Sequence, residues 1–323
     1  MTAMIRKLLA TLIGLVTFLS SGLLSACANI DDEIEELSQW TATQPALREL
    51  SAKQQLAGGI PANAVYVKGP IRVASVPEFF AALSQLHAKA EEIAGAGDLD
   101  LELDVTTVVS GTEFNLRSYD WDAQQEAETY TAIFEPFASP PAARVHIDNR
   151  IDGLEAWADR DEKVSDDEAR AHRDVIFQHL DDMDIEGRFR LNGFPLVHPA
   201  RPEGVNFSTV PAPILDLNGF PQGYTEATSF AEKVDATTDF ELRSVRGDAG
   251  MDEWEFYTEG EFDEAALKAI KKVLSDPAAG DRVSVRISGP EGGLGRALIG
   301  IPLEQQPDHV GPWTERMRQI LSA

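Results

Sequence analysis

The 323-residue chain has one cysteine, Cys27. No disulfide can form within it, so an exported domain must be held by its apolar core alone. Cations are scarce too: 28 Lys and Arg stand against 54 Asp and Glu, a formal net charge of −26. Such a surface is repelled by phosphate backbones and anionic headgroups, so nucleic acid is not an expected partner. The apolar run Leu8 to Leu23 is sixteen residues long, short of the ~20 of a spanning helix. There is no Gly-Lys-Ser/Thr, Gly-x-Ser-x-Gly, Ser-x-x-Lys or His-Glu-x-x-His, so the usual signs of phosphate-loop, serine-nucleophile and zinc-protease chemistry are missing. Of six histidines, His172 and His179 share a helix face near Asp181 and Asp182, but no third ligand has zinc spacing.

What is present begins at the amino terminus. Arg6 and Lys7 precede the apolar run, and no Asp or Glu comes before Asp31. These are the charged and apolar regions of a secretory signal over residues 1–26. Leu24-Ser25-Ala26-Cys27 follows at its end and resembles the lipobox of bacterial lipoproteins. The resemblance implies cleavage before Cys27 and a diacylglyceryl thioether on its sulfur, two acyl chains, with a third, palmitate-type chain where the new amino terminus is also acylated. Two or more chains exceed what reversible membrane binding by one chain provides. The expected location is therefore the cell membrane, lipid-anchored and facing away from the cytoplasm. Ala28 offers no acidic retention residue, so an outer membrane stays open for a two-membrane host. Loss of Arg6 and Lys7 takes the net charge to −28.

Residues 27–63 are acidic early and end in Gly58-Gly59-Ile60-Pro61. They read as a tether with short helices at Asp32–Trp40 and Pro45–Ala57, and packing onto the body is an equal alternative. From residue 64 the patterns sharpen. A strand with a break at Gly69-Pro70 precedes a Ser75-x-x-Glu78 capping box and an apolar helix face carrying Phe79, Phe80, Leu83, Leu86 and Ile93. Leu99, Leu101, Leu103 and Val105 then alternate with Asp98, Asp100, Glu102 and Asp104, the pattern of a half-buried strand. Gly111 turns it into a second strand, Asp122 starts a helix, and residues 143–148 make another strand. The order over 65–149 is β-α-β-β-α-β. The second half echoes it: residues 100–103 match 239–242, Trp121-Asp122 match Phe262-Asp263, and 141–147 match 277–287. Helices close each half, at Ser165–Met183 and Asp308–Leu321. Residues 192–223, rich in Pro and Gly with "LNGFP" at both ends, read as a crossover between units 64–191 and 224–323.

Three other patterns resolve into structure rather than chemistry. Same-face carboxylates on a flat strand stand ~6.6 Å apart, too far to share a calcium ion with bonds of about 2.3–2.6 Å, so the acidic row reads as a solvated face. Residues 148–159 brush the EF-hand pattern at Asp148, Asp152, Gly153 and Asp159, but Arg150 stands where an oxygen ligand belongs. The Gly-rich segment 289–295 lies between two strands, where a phosphate cradle would need a helix, and reads as a hairpin loop. The aromatics Tyr119, Trp121, Trp254 and Tyr257 sit near matched strand edges. They would line a groove if the halves pack pseudo-symmetrically, while Trp121 and Phe262 also suit staples on the helices they precede.

The expected fold is α+β: two related halves, each an antiparallel sheet with helices on one face, in a ferredoxin-like βαββαβ arrangement. The expected function is a lipid-anchored binding or envelope-associated module for a small molecule or envelope protein, with no metal or cofactor. A hydrolase of envelope polymers using paired carboxylates and a passive scaffold remain open alternatives.

Overall fold

A computed structural model describes residues 30–57, 60–95, 99–118, 123–138, 142–150, 153–183, 188–194, 214–216, 223–248, 251–280, 282–306 and 311–322. Helix α1 (Asp31–Thr43) leads into β1 (Ser51–Ala57), β2 (Ile60–Pro70) and α2 (Val76–Ala94). Next come β3 (Asp100–Val109), β4 (Thr112–Ser118) and α3 (Ala123–Phe134), with a 3-10 turn at Glu135–Ala138. Strands β5 (Ala142–Arg150) and β6 (Gly153–Arg160) precede α4 (Asp166–Met183); β7 (Arg188–Asn192) and β8 (Ile214–Asp216) precede α5 (Gly223–Asp235). The chain ends with β9 (Glu241–Asp248), β10 (Met251–Tyr257), α6 (Glu264–Leu274), β11 (Val283–Gly289), β12 (Gly292–Leu298) and α7 (Thr314–Leu321). After α1, the order strand–strand–helix therefore occurs six times.

The twelve strands form one mixed sheet whose spatial order is their sequence order. Pairs β1/β2, β7/β8, β9/β10 and β11/β12 are antiparallel. Pairs β2/β3, β6/β7, β8/β9 and β10/β11, each bridged by a helix, are parallel. This corrects the expected antiparallel sheets: a helix between neighbouring strands returns the chain to the starting edge, and the next strand runs the same way. It also removes the ferredoxin-like arrangement. That topology inserts a strand between the two strands of each βαβ unit, whereas here Val65 of β2 faces Leu101 of β3 directly.

Packing divides the chain into two compact units, one of Met1–Val108, Asn115–Thr131 and Asn149–Ile151, the other of Val109–Phe114, Ala132–Asp148 and Asp152–Ala323. In the first, Phe79 and Phe80 of α2 meet edge to face, and Phe80 meets Tyr130 of α3 likewise. The capping box forms: Ser75 Oγ accepts from Glu78 N at 3.3 Å, and the Glu78 carboxylate accepts from Ala74 N at 2.8 Å. Residues 30–57 belong to this body. Ile30 and Leu37 are buried, α1 packs on α2 and β1, and Lys89 of α2 pairs with Glu36 at 3.2 Å. The expected helix at 45–57 is a turn followed by β1. Its Ala, Lys and Gln residues are good helix formers, but intrinsic propensity yields to tertiary context, and pairing of Ser51–Gln54 with Lys68–Val65 overrides it.

In the second unit one buried row crosses seven strands in register. Ala158, Leu191, Leu215, Val245, Trp254, Val285 and Ala297 face one another in turn, and each is 0 % exposed. Helices α4 to α7 pack successively beside one another. Trp254 meets Phe230 of α5 edge to face at 5.7 Å, so this row is the side the helices cover. Helix ends are capped as local sequence dictates at Ser165/Glu168 and Asp263, and at long range at α5. There the Asp181 carboxylate of α4 accepts from Tyr224 N at 2.7 Å and Thr225 N at 2.8 Å. Gly223 permits this approach: its φ is +80°, and a Cβ there would lie 2.8 Å from Asp181 Oδ1. The outer edge of β12 is closed by the chain that follows. The Gln306 side chain accepts from Leu298 N at 2.7 Å and donates to Leu298 O at 2.8 Å, while Trp313 N donates to Leu294 O.

Candidate functional site: the open face of the sheet

Side chains alternate across a strand, so the neighbours of the buried row point away from the helices. In the second unit these are Trp157, Arg190, Asp216, Arg246, Glu253 and Ser284, again in register across β6 to β11. The sign of charge alternates along the middle of the row. Arg190 pairs with Asp216 at 3.0 Å, and Arg296 of β12 reaches Glu253 at 3.0 Å and donates Nε–H to Ser284 Oγ at 2.9 Å. Arg246 donates to Ser244 Oγ at 3.0 Å and is exposed. One register position along, Arg286 meets Glu255 at 3.6 Å. At the β5 end, His146 stacks on Trp157 with ring centres 4.7 Å apart, and its Nε2 lies 3.8 Å from Asp159, which accepts from Asn192 at 2.8 Å.

The first unit has a smaller polar cluster on β1 to β4. Tyr66 donates to Asp104 at 2.7 Å, Lys68 pairs with the same carboxylate at 3.1 Å, and Arg117 stands 3.8 Å away. Lys53 lies 5.0 Å above the Tyr66 ring. Burial alone would raise Asp104, but the hydrogen bonds from Tyr66 and Lys68 and the charges of Lys68 and Arg117 prevail and hold its carboxyl below the usual range. The Tyr66 phenol is pushed up to about 12, first by its bond to Asp104 and then by burial. The row read as a solvated carboxylate face thus has Asp100 in solvent but Asp104 at the hub of an ionic cluster, while Asp98 lies outside the described residues.

The other sequence candidates fall as follows. Cys27, Tyr119 and Trp121 lie outside the described residues. Trp254 is not a groove residue: it is 0 % exposed and donates its indole N–H to Ala279 O at 3.2 Å, because its position in β10 faces the helices. Tyr257, three residues on, is half-buried with the Arg243 guanidinium 5.4 Å from its ring centre. Phe262 packs edge to face on Trp313 at 5.3 Å, with Arg316 3.6 Å over its ring. His172 and His179 are structural: their Nε2 atoms bond Pro136 O at 2.8 Å and Ala132 O at 2.7 Å, carbonyls at the end of α3 and the turn after it. Burial holds the His172 imidazole below its ordinary value, against the pull of the Pro136 bond. Asp148 and Asp159 sit on different strands, β5 and β6. The Gly-rich segment is the β11–β12 hairpin, with Gly289 opposite Gly292. Among the described residues no three His, Cys, Asp or Glu side chains are placed to hold one metal ion.

Arg190 and Arg246 stand exposed on this face and Glu253, Glu255, Arg286 and Arg296 are half-buried, while Asp216 and Ser284 lie buried beneath them. The buried Asp216 carboxylate pairs with Arg190, and the exposed guanidiniums of Arg190 and Arg246 keep donors facing solvent. An extended surface of donors and acceptors of both signs is suited to recognising a polar partner. Sequence reasoning did not find the ladder, although part of its signal was present: "RFR" and "RVSVR" alternate polar with apolar residues, and Glu253 and Glu255 flank Trp254. What could not be read was that these strands are neighbours.

No family model, curated protein or solved structure matches the chain.

Proposed function

We propose that this is an exported lipoprotein, anchored through lipid on Cys27, whose folded body is a binding module that takes a polar, charge-bearing partner on the open sheet face. The anchor rests on Leu24-Ser25-Ala26-Cys27 behind the signal-like segment. The binding role rests on one observation, the in-register ladder from Trp157 to Ser284 facing away from the helices. We also propose that the body arose by duplication, β1–α4 and β7–α7 being copies of three strand–strand–helix units. In support, the matched pair 141–147 and 277–287 falls at β5 and β11, each preceded by a helix and a 3-10 turn.

Photo-crosslinking in intact cells tests the binding role. A photoreactive residue at Arg190 or Arg246 is expected to capture one defined species, while the same residue at Lys268, exposed on α6, captures none. Equal capture from both sides, or from neither, refutes it. The anchor is tested by Cys27→Ser, which is expected to release the protein from membranes; a membrane-bound variant of unchanged mass refutes it.

A further inference from the structure

The lipid anchor and the folded body are closer together than the composition of residues 27–63 suggests. Ile30 is 2 % exposed and its carbonyl accepts from Ile34 N at 3.0 Å, so the chain is fixed to the body from that residue. Leu37 and Thr41 bury the same face of α1, and the Glu36–Lys89 pair ties it to α2. Between Cys27 and Ile30 lie three Cα–Cα steps of about 3.8 Å, so the leash is at most ~11 Å long whatever path it takes.

Resting on the anchor reading above, we infer that the unit carrying α1 is held directly at the bilayer, with the first turn of α1 against the headgroup layer. The first turn carries Asp31, Asp32 and Glu33. At ~11 Å or less these carboxylates lie about one screening length from the headgroups at physiological salt. The lipid surface that fits is therefore one without net negative charge, and the occupant of this end of the body is a zwitterionic bilayer.

The experiment uses the full lipidated chain in phosphatidylcholine vesicles. With Cys27 acylated, Glu35→Cys provides one reactive thiol on the exposed side of α1 for a donor dye, and acceptor lipids report its height. Strong energy transfer is expected. Inserting twenty Gly and Ser residues between Ala28 and Asn29, a coil of roughly 25 Å mean span, is expected to reduce it clearly. Protein that floats with the vesicles but gives equal transfer in both forms overturns the short leash and leaves the anchor standing. Protein that does not float overturns the anchor, and the leash with it.

Discussion

Replacing Asp181 by Ala removes an acceptor from the amino end of a helix to which it is joined only through space. Its two oxygens take the Tyr224 and Thr225 amides at 2.7 and 2.8 Å, the service a capping residue normally performs from within its own chain segment. Loss of a cap costs about 1–2 kcal/mol, and the carboxylate's charge at the positive helix end contributes up to about 1 of that. Asp181→Ala is therefore expected to lower stability by about 1–2 kcal/mol, and Asp181→Asn, which keeps one acceptor without charge, by about half as much. The geometry also couples Asp181 to Gly223. Gly223→Ala meets backbone strain of about 1–2 kcal/mol at positive φ and a Cβ placed 2.8 Å from Oδ1, which displaces the cap. In an Asp181→Ala background only the strain remains. A double-mutant cycle by urea unfolding should give a coupling near 1 kcal/mol, with hydrogen exchange at Tyr224 and Thr225 accelerating in Asp181→Ala. Additive losses, or unchanged exchange at those amides, would refute the cap.

Trp254→Ala is expected to cost about 3–5 kcal/mol, the usual range for emptying a buried aromatic site, and Trp254→Phe less; a loss under 1 kcal/mol for Ala would show that the ring is not in the core. His172 should titrate below its ordinary value of 6.5 by NMR. Because its folded value is the lowered one, its contribution is complete above about pH 6.5 and declines as pH falls toward the folded value. His172→Gln, which keeps a donor for Pro136 O, should flatten that part of the stability profile. Ultraviolet titration should place the Tyr66 phenol at about 12. With its folded value raised, its contribution is complete below pH 10 and lost as pH rises through 12, and Asp104→Asn should move the transition down.

Local patterns were legible wherever a residue's role is settled by its near neighbours. The capping box at Ser75 and Glu78, the alternation of β3, the turn at Gly111 (φ +91°) and the 289–295 hairpin are all decided within a few residues. What failed was pairing at a distance. β1 reads as helix until β2 supplies its hydrogen bonds, and the helices after β2, β6, β8 and β10 do not declare that they join parallel neighbours. The ladder shows the same limit: the charged residues of each strand are plain in the sequence, but Arg190 opposite Asp216 and Arg246 opposite Glu253 exist only once the register is set. Asp181, read beside the histidines of its own helix, acts on the next one.

Because every strand lies beside its neighbours in sequence, no part of the sheet waits for a distant part of the chain to be made. Contacts of short sequence separation form quickly, and repeats that meet only their neighbours can add one at a time. A chain emerging amino end first can therefore lay down its sheet behind it in order, each new strand finding a template already in place. The same growth would leave an adhesive edge at whatever strand is newest. It ends at β12, where Gln306 and Trp313 occupy the backbone groups that a thirteenth strand would have used.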